Sequence, residues 1–76
     1  RCWPNPADER LVFERPAGFE GTGAFLLRDA AGRAVYNGSI TSRMIAVPTA
    51  SLASGTYVLE VGNGELRRTA LVTIAH

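Results

Sequence analysis

Asn63-Gly64 stands between an alternating run, with Tyr57, Leu59 and Val61 spaced two apart, and an aliphatic stretch from Ala70 to Ile74. Asn and Gly both tolerate positive φ, and period-two alternation on either side of such a pair is the strongest short-range hairpin signal in the chain. With Asn63 and Gly64 as the central turn residues, Gly62 faces Glu65, Val61 faces Leu66, Glu60 faces Arg67 and Tyr57 faces Ala70. This register sets opposite charges, Glu60 and Arg67, across one face and apolar partners across the other, each pair contributing about 0.2–1 kcal/mol. Arg68, opposite Leu59, is the misfit. Either a bulge resets the strand so that Leu71 or Val72 recovers the inner face, or Arg68 lies at the sheet edge with its stem packed and its guanidinium in water.

The preceding sequence reads as short strands separated by turn signals. Pro4 and Pro6 make residues 1–8 a stiff leading segment with Trp3 and Asn5 extended, long enough for a short edge strand, and Trp3 packs on the domain as a plug. Leu11, Val12 and Phe13 form a strand closed by Pro16, with Leu11 and Phe13 inward. Gly18, Gly21 and Gly23 make a loop from which Phe19 folds back over the core. Residues 24–28, "AFLLR", suit a strand buried on both faces or central in a sheet. Asp29, able to bond the backbone ahead of it, and Gly32 three residues later predict a type I turn with a bulge, and Arg33 to Tyr36 return with Val35 inward. Asn37-Gly38-Ser39, also a glycosylation sequon, reads as a turn. Ile45 and Val47 share a strand face ended by Pro48; residues 49–54 make one helical turn anchored by Leu52, and Gly55 permits a tight bend into the hairpin.

Six or seven short strands with turn signals about every ten residues, and no crossover segments for a parallel sheet, predict an all-β, immunoglobulin-like antiparallel β-sandwich. The 76 residues make a single domain, which a leading linker over 1–8 joins to a sandwich over 9–76. Beginning at Arg1 with two prolines close behind, the chain is expected to be the C-terminal module of a longer protein. A net charge of +1 with 20% charged residues indicates neither disorder nor general attraction to nucleic acid or anionic membrane. All eight basic residues are arginine, as a GC-rich genome would bias them.

Catalytic and metal-binding readings lack parts. The single histidine, His76, ends the chain where fraying is normal, so a Ser-His-Asp or Cys-His arrangement rests on an untethered base. Asp8-Glu9 is a local acidic pair, Cys2 with His76 lacks further ligands, and "GFEGTG" precedes a strand rather than a helix, so no cofactor is expected. Arg67-Arg68, with Arg43 or Arg33 nearby, is either a small anion patch or ordinary surface charge.

The motifs taken together say more. "WPNPA" at residues 3–7, the strand "LVF", "LLRDAAGRAVY" at 26–36, "IAVPTASLASGTYVLEV" at 45–61 and a closing basic-then-β segment resemble, in order and over nearly the whole chain, the type A C-terminal sorting domains of the bacterial type IX secretion system. Trp3 stands where the family usually has tyrosine, and Arg67-Arg68 where it usually has lysines.

The resemblance implies an immunoglobulin-like module that directs an N-terminal cargo domain across the outer membrane of a Bacteroidetes-type bacterium, to the cell surface or the medium. Its implied partners are the outer-membrane translocon and shuttle protein, a sortase-like surface protease and, for attached cargo, anionic lipopolysaccharide. The positions matching the signal are Gly55, Tyr57, Val61, Arg67, Arg68, Leu71, Val72 and Ile74; Pro4, Asn5, Pro6, Asp29, Gly32 and Arg33 match as structural markers. The mechanism expected is recognition of the final hairpin, by edge pairing or an arginine contact. The alternative is an accessory polysaccharide-binding or spacer sandwich of a secreted hydrolase, which requires a row of exposed aromatics drawn from Trp3, Phe19, Tyr36 and Tyr57.

Overall fold

A computed structural model describes residues 2–19 and 21–76; Arg1, at the head of the leading segment, and Glu20, in the glycine loop, lie outside the described residues. The strands are β1 (Cys2–Trp3), β2 (Arg10–Glu14), β3 (Gly23–Arg28), β4 (Ala34–Ile40), β5 (Met44–Pro48), β6 (Gly55–Gly62) and β7 (Arg67–Ile74). They form a three-stranded sheet, β1-β2-β5, and a four-stranded sheet, β4-β3-β6-β7, every ladder antiparallel. The immunoglobulin-like sandwich expected from the strand pattern is the fold, and of the two places its apolar run suits, β3 takes the central one.

Alternation places the core. Leu11 and Phe13 of β2, Val47 of β5, Phe25 and Leu27 of β3, Tyr57, Leu59 and Val61 of β6, and Val72 and Ile74 of β7 are buried between the sheets. The rings of Phe13 and Phe25 meet edge to face across the layers at 5.3 Å, a geometry contributing about 0.5–1.5 kcal/mol beyond area burial. Phe19 folds over the end of this core as expected, and Leu52 packs against it from the turn before β6.

Three local readings are corrected. The β6–β7 connection is a four-residue loop, 63–66, not a two-residue turn. Asn63 turns its own Oδ1 onto the backbone N–H groups of Glu65 and Leu66 at 3.0 and 2.7 Å, and Gly64 takes φ +94°. This slides the register by two, pairing Gly62 with Arg67, Val61 with Arg68, Glu60 with Thr69 and Tyr57 with Val72. A shift of two conserves faces. The ladder continues without a bulge, so Val72 faces the core and Leu71 faces solvent. Arg68 takes the second of its two expected places, exposed at the sheet edge.

The second correction concerns Asn37-Gly38-Ser39, which lies inside β4 rather than ending it. Gly38 sits opposite Phe25 in the register, and a Cβ there would lie 2.7 Å from the Phe25 ring. The glycine makes room for an aromatic; it does not turn the chain. The third concerns Gly55, which opens β6 with no left-handed φ and with room for a Cβ, its nearest neighbour being Tyr57 Cε1 at 4.0 Å. The bend is made upstream, where Leu52 N–H donates to Thr49 C=O at 3.0 Å without a helix.

The β3–β4 turn is as read. Asp29 Oδ1 accepts from Ala31 and Arg33 N–H at 3.0 and 2.9 Å, Gly32 has φ +87°, and the ladder is irregular at Leu27/Arg28.

Candidate functional site

The last strand is held from both sides at one end. Toward its C-terminal half, the leading segment crosses from the first sheet to the second: Ala7 N–H donates to Thr73 C=O at 2.8 Å, Ala75 N–H donates to Ala7 C=O at 2.7 Å, and Asn5 Oδ1 accepts Thr73 N–H at 3.1 Å. Ala7 is fully buried by this parallel bridge. Pro4, Asn5 and Pro6 are exposed around it, with the Trp3-Pro4 and Asn5-Pro6 peptides cis.

His76 belongs to the same clasp, contrary to the expectation of a frayed end. Its Nδ1 lies 2.5 Å from Asp8 Oδ1, its Nε2 lies 2.6 Å from Leu52 C=O, and its backbone N–H donates to Ser54 Oγ at 3.1 Å. Both ring nitrogens face acceptors, which suits the doubly protonated imidazolium; the Asp8 carboxylate first and the Leu52 carbonyl second raise its pKa above the usual 6.5. Thr49 Oγ1 donates to Asp8 C=O at 2.8 Å and completes the clasp.

On the outer face of the four-stranded sheet, Glu60 bridges two arginines. Arg28 Nε lies 2.8 Å from Glu60 Oε1, and Arg67 Nη2 bonds Glu60 Oε2. The Glu60–Arg67 pairing expected from the hairpin is present, reached diagonally after the register shift rather than directly across. Arg67 first and Arg28 second hold the Glu60 carboxyl below its usual range. The arginines do not gather into an anion patch: Arg33 sits 3.3 Å from Asp29 and Arg43 sits 3.5 Å from Glu14. Arg68 makes no ion pair with any of the described residues.

The signal-matching positions divide by environment. Tyr57, Val61, Val72 and Ile74 are core residues. Tyr57 is further tied down, its hydroxyl donating to Ala53 C=O at 2.5 Å at the start of β6, a tie that resembles the tyrosine corner of immunoglobulin-like sandwiches. Gly55, Arg67, Arg68 and Leu71 are exposed, Leu71 to 71%. Asp29, Gly32 and Arg33 together make the β3–β4 turn. Sequence reasoning missed the clasp; the signal available was the apposition of an acidic Asp8 and the only histidine at the two ends of one domain.

The aromatics form no exposed row. Phe19 and Tyr57 are buried, Trp3 is half-buried in β1, and Tyr36 stacks on Phe25 at 5.9 Å. The polysaccharide-binding alternative is not favoured.

No curated protein and no solved structure matches the chain significantly. A family profile described as the secretion system C-terminal sorting domain matches residues 1–74, the leading segment and all seven strands included. The chain belongs to the family of type IX secretion C-terminal sorting domains, which carry an N-terminal cargo to the secretion machinery and across the outer membrane to the cell surface or the medium.

Proposed function

We propose that the signal is read from the surface of the folded final hairpin, with Gly55, Arg67, Arg68 and Leu71 as the positions that touch the machinery and Tyr57, Val61, Val72 and Ile74 shaping the strands that present them. The observation that carries this is the division above: half of the signal-matching positions are used up by the core, and the exposed half lies on β6 and β7. Residues 9–76 are the sorting unit, and residues 1–8, which add β1 to its first sheet and clasp the end of β7, lead into it from the cargo. The partners are the outer-membrane shuttle protein and translocon, then a sortase-like surface protease that frees the cargo for release or for attachment to anionic lipopolysaccharide; family membership supports these. The domain itself performs no catalysis. The His76 Nε2 that a nucleophile would need is occupied by Leu52 C=O, and the Ser54 hydroxyl is held by the His76 backbone.

The test fuses the chain to the C-terminus of a periplasmic reporter, in a strain with a working type IX system and in one lacking its translocon. The wild-type module carries reporter outward only in the competent strain. A folded triple variant, Gly55→Ala with Arg67→Ala and Leu71→Ser, stays in the periplasm; its export at the wild-type level would sink surface recognition.

A further inference from the structure

The first half of β7 is an unpaired edge. Thr73 directs both its N–H and its C=O away from β6, to Asn5 and Ala7. Backbone direction alternates along a strand, so Leu71, Thr69 and Arg67 direct theirs to the same side. No backbone group of the described residues meets them there. The leading segment seals the edge only from Thr73 onward, which leaves a free stretch of five residues, 67–71.

Beside this stretch the sandwich is open. On this side the first sheet ends in β1, which has two of the described residues, against the eight of β7. The inward-facing Arg68 and Ala70 are consequently exposed, and next to them runs a cleft of about 230 Å³ whose lining includes Phe13, Leu59, Val61 and Ala70, with Arg68 and Glu14 also at its surface. Glu14 has Arg43 as its partner; Arg68 has none among the described residues.

Resting on the reading that the final hairpin is the recognised surface, we propose that an extended segment of the outer-membrane partner adds to β7 along residues 67–71, with an aliphatic side chain in the cleft beside Ala70 and a carboxylate on Arg68. Main-chain pairing supplies affinity, and the alternating side chains supply specificity. The same pairing covers an edge that is otherwise free to template association. Charge selects a partner segment over a second copy of this chain. Antiparallel β7–β7 pairing centred on Thr69 would set Arg68 opposite Ala70 and diagonal to Arg68 of the other copy on the same face, where two like charges within reach of each other repel and no carboxylate of β7 offsets them. A carboxylate-bearing segment meets the arginines favourably, through a charge-assisted hydrogen bond that depends on the positive charge at Arg68.

The experiment uses the reporter fusion with Thr69→Pro, Arg68→Glu and Arg68→Lys. Proline at Thr69 removes only an outward N–H, because the ladder to β6 runs through Arg68 and Ala70. Circular dichroism and thermal melting verify folding of each variant. Export of wild type with a tenfold or greater loss for Thr69→Pro and Arg68→Glu, and near-normal export of Arg68→Lys, is the expected pattern. Wild-type export of Thr69→Pro overturns strand addition, and wild-type export of Arg68→Glu overturns the carboxylate contact. Since proline can also disturb the strand, Arg68→Glu serves as the decisive variant if Thr69→Pro melts early. Retention of the wild-type fusion itself in the competent strain would instead bring down the underlying reading. A purified wild-type module that elutes as a dimer, dissolved by Arg68→Glu or Thr69→Pro, would assign the edge to a second copy and overturn the proposal.

Discussion

The ring of Phe25 occupies the space that a side chain at Gly38 would need. A Cβ at that position would stand 2.7 Å from Phe25 Cε1 and 2.9 Å from Cζ, closer than van der Waals contact allows. Because Phe25 also meets Phe13 across the sandwich, its ring cannot retreat without disturbing the inter-sheet contact. Gly38→Ala should destabilise the module by about 1–3 kcal/mol through overpacking. Urea denaturation of Gly38→Ala, Phe25→Leu and the double variant checks this. The double variant should be more stable than the sum of the single losses requires, and strict additivity would refute the clash.

Asn63 should matter through its side chain rather than its turn propensity alone. Asn63→Ala leaves the Glu65 and Leu66 N–H groups without the acceptor they have now and should cost about 1 kcal/mol. Asn63→Asp retains the acceptor and should cost less. Equal melting temperatures for the Ala variant and wild type would show that the loop holds by other means.

The clasp predicts a pH dependence of defined sign. Because the folded His76 pKa is raised above 6.5, its contribution to stability is fully present below 6.5 and is lost as pH rises through the folded value. The melting temperature of wild type should therefore fall on moving from pH 6 toward mildly alkaline pH. Asp8→Asn should flatten that limb, and a wild-type limb as flat as the variant's would refute the clasp.

Glu60 acts on the opposite limb. Its carboxyl is held below the ordinary 4.5 by Arg67 and Arg28, so its contribution is present above 4.5 and lost as pH falls through the lower folded value. Glu60→Gln should make acid unfolding less steep below pH 4.5 while leaving the alkaline side untouched. Added salt should weaken the wild-type effect, since both arginines reach Glu60 from exposed positions.

Gly55 separates folding from recognition. With ordinary backbone and room for a methyl group, Gly55→Ala should leave stability unchanged or raise it by about 0.4–1 kcal/mol. Leu71→Ser, at a site 71% exposed, should change stability by no more than about 0.5 kcal/mol. Thermal melts check both, and a large loss from either would mean that the position serves the fold.

What was legible in the sequence follows from local physics. Alternation placed Leu11, Phe13, Tyr57, Leu59 and Val61 inward, because a pleated strand allows only two faces, and Asp29 with Gly32 specified its turn through one side chain and one positive φ. The ordered motifs marked the family. Tertiary structure decided the remainder, where the partner lies far along the chain. Only the facing of β3 and β4 reveals that Gly38 yields to Phe25 instead of turning. The hairpin register depended on which groups the Asn63 side chain would engage, and a slip of two left the inward set intact, so the hydrophobic pattern carried no information about it. Asp8 and His76 meet because the sandwich returns both ends of the domain to one place; the sequence holds their chemistry and the fold supplies the distance.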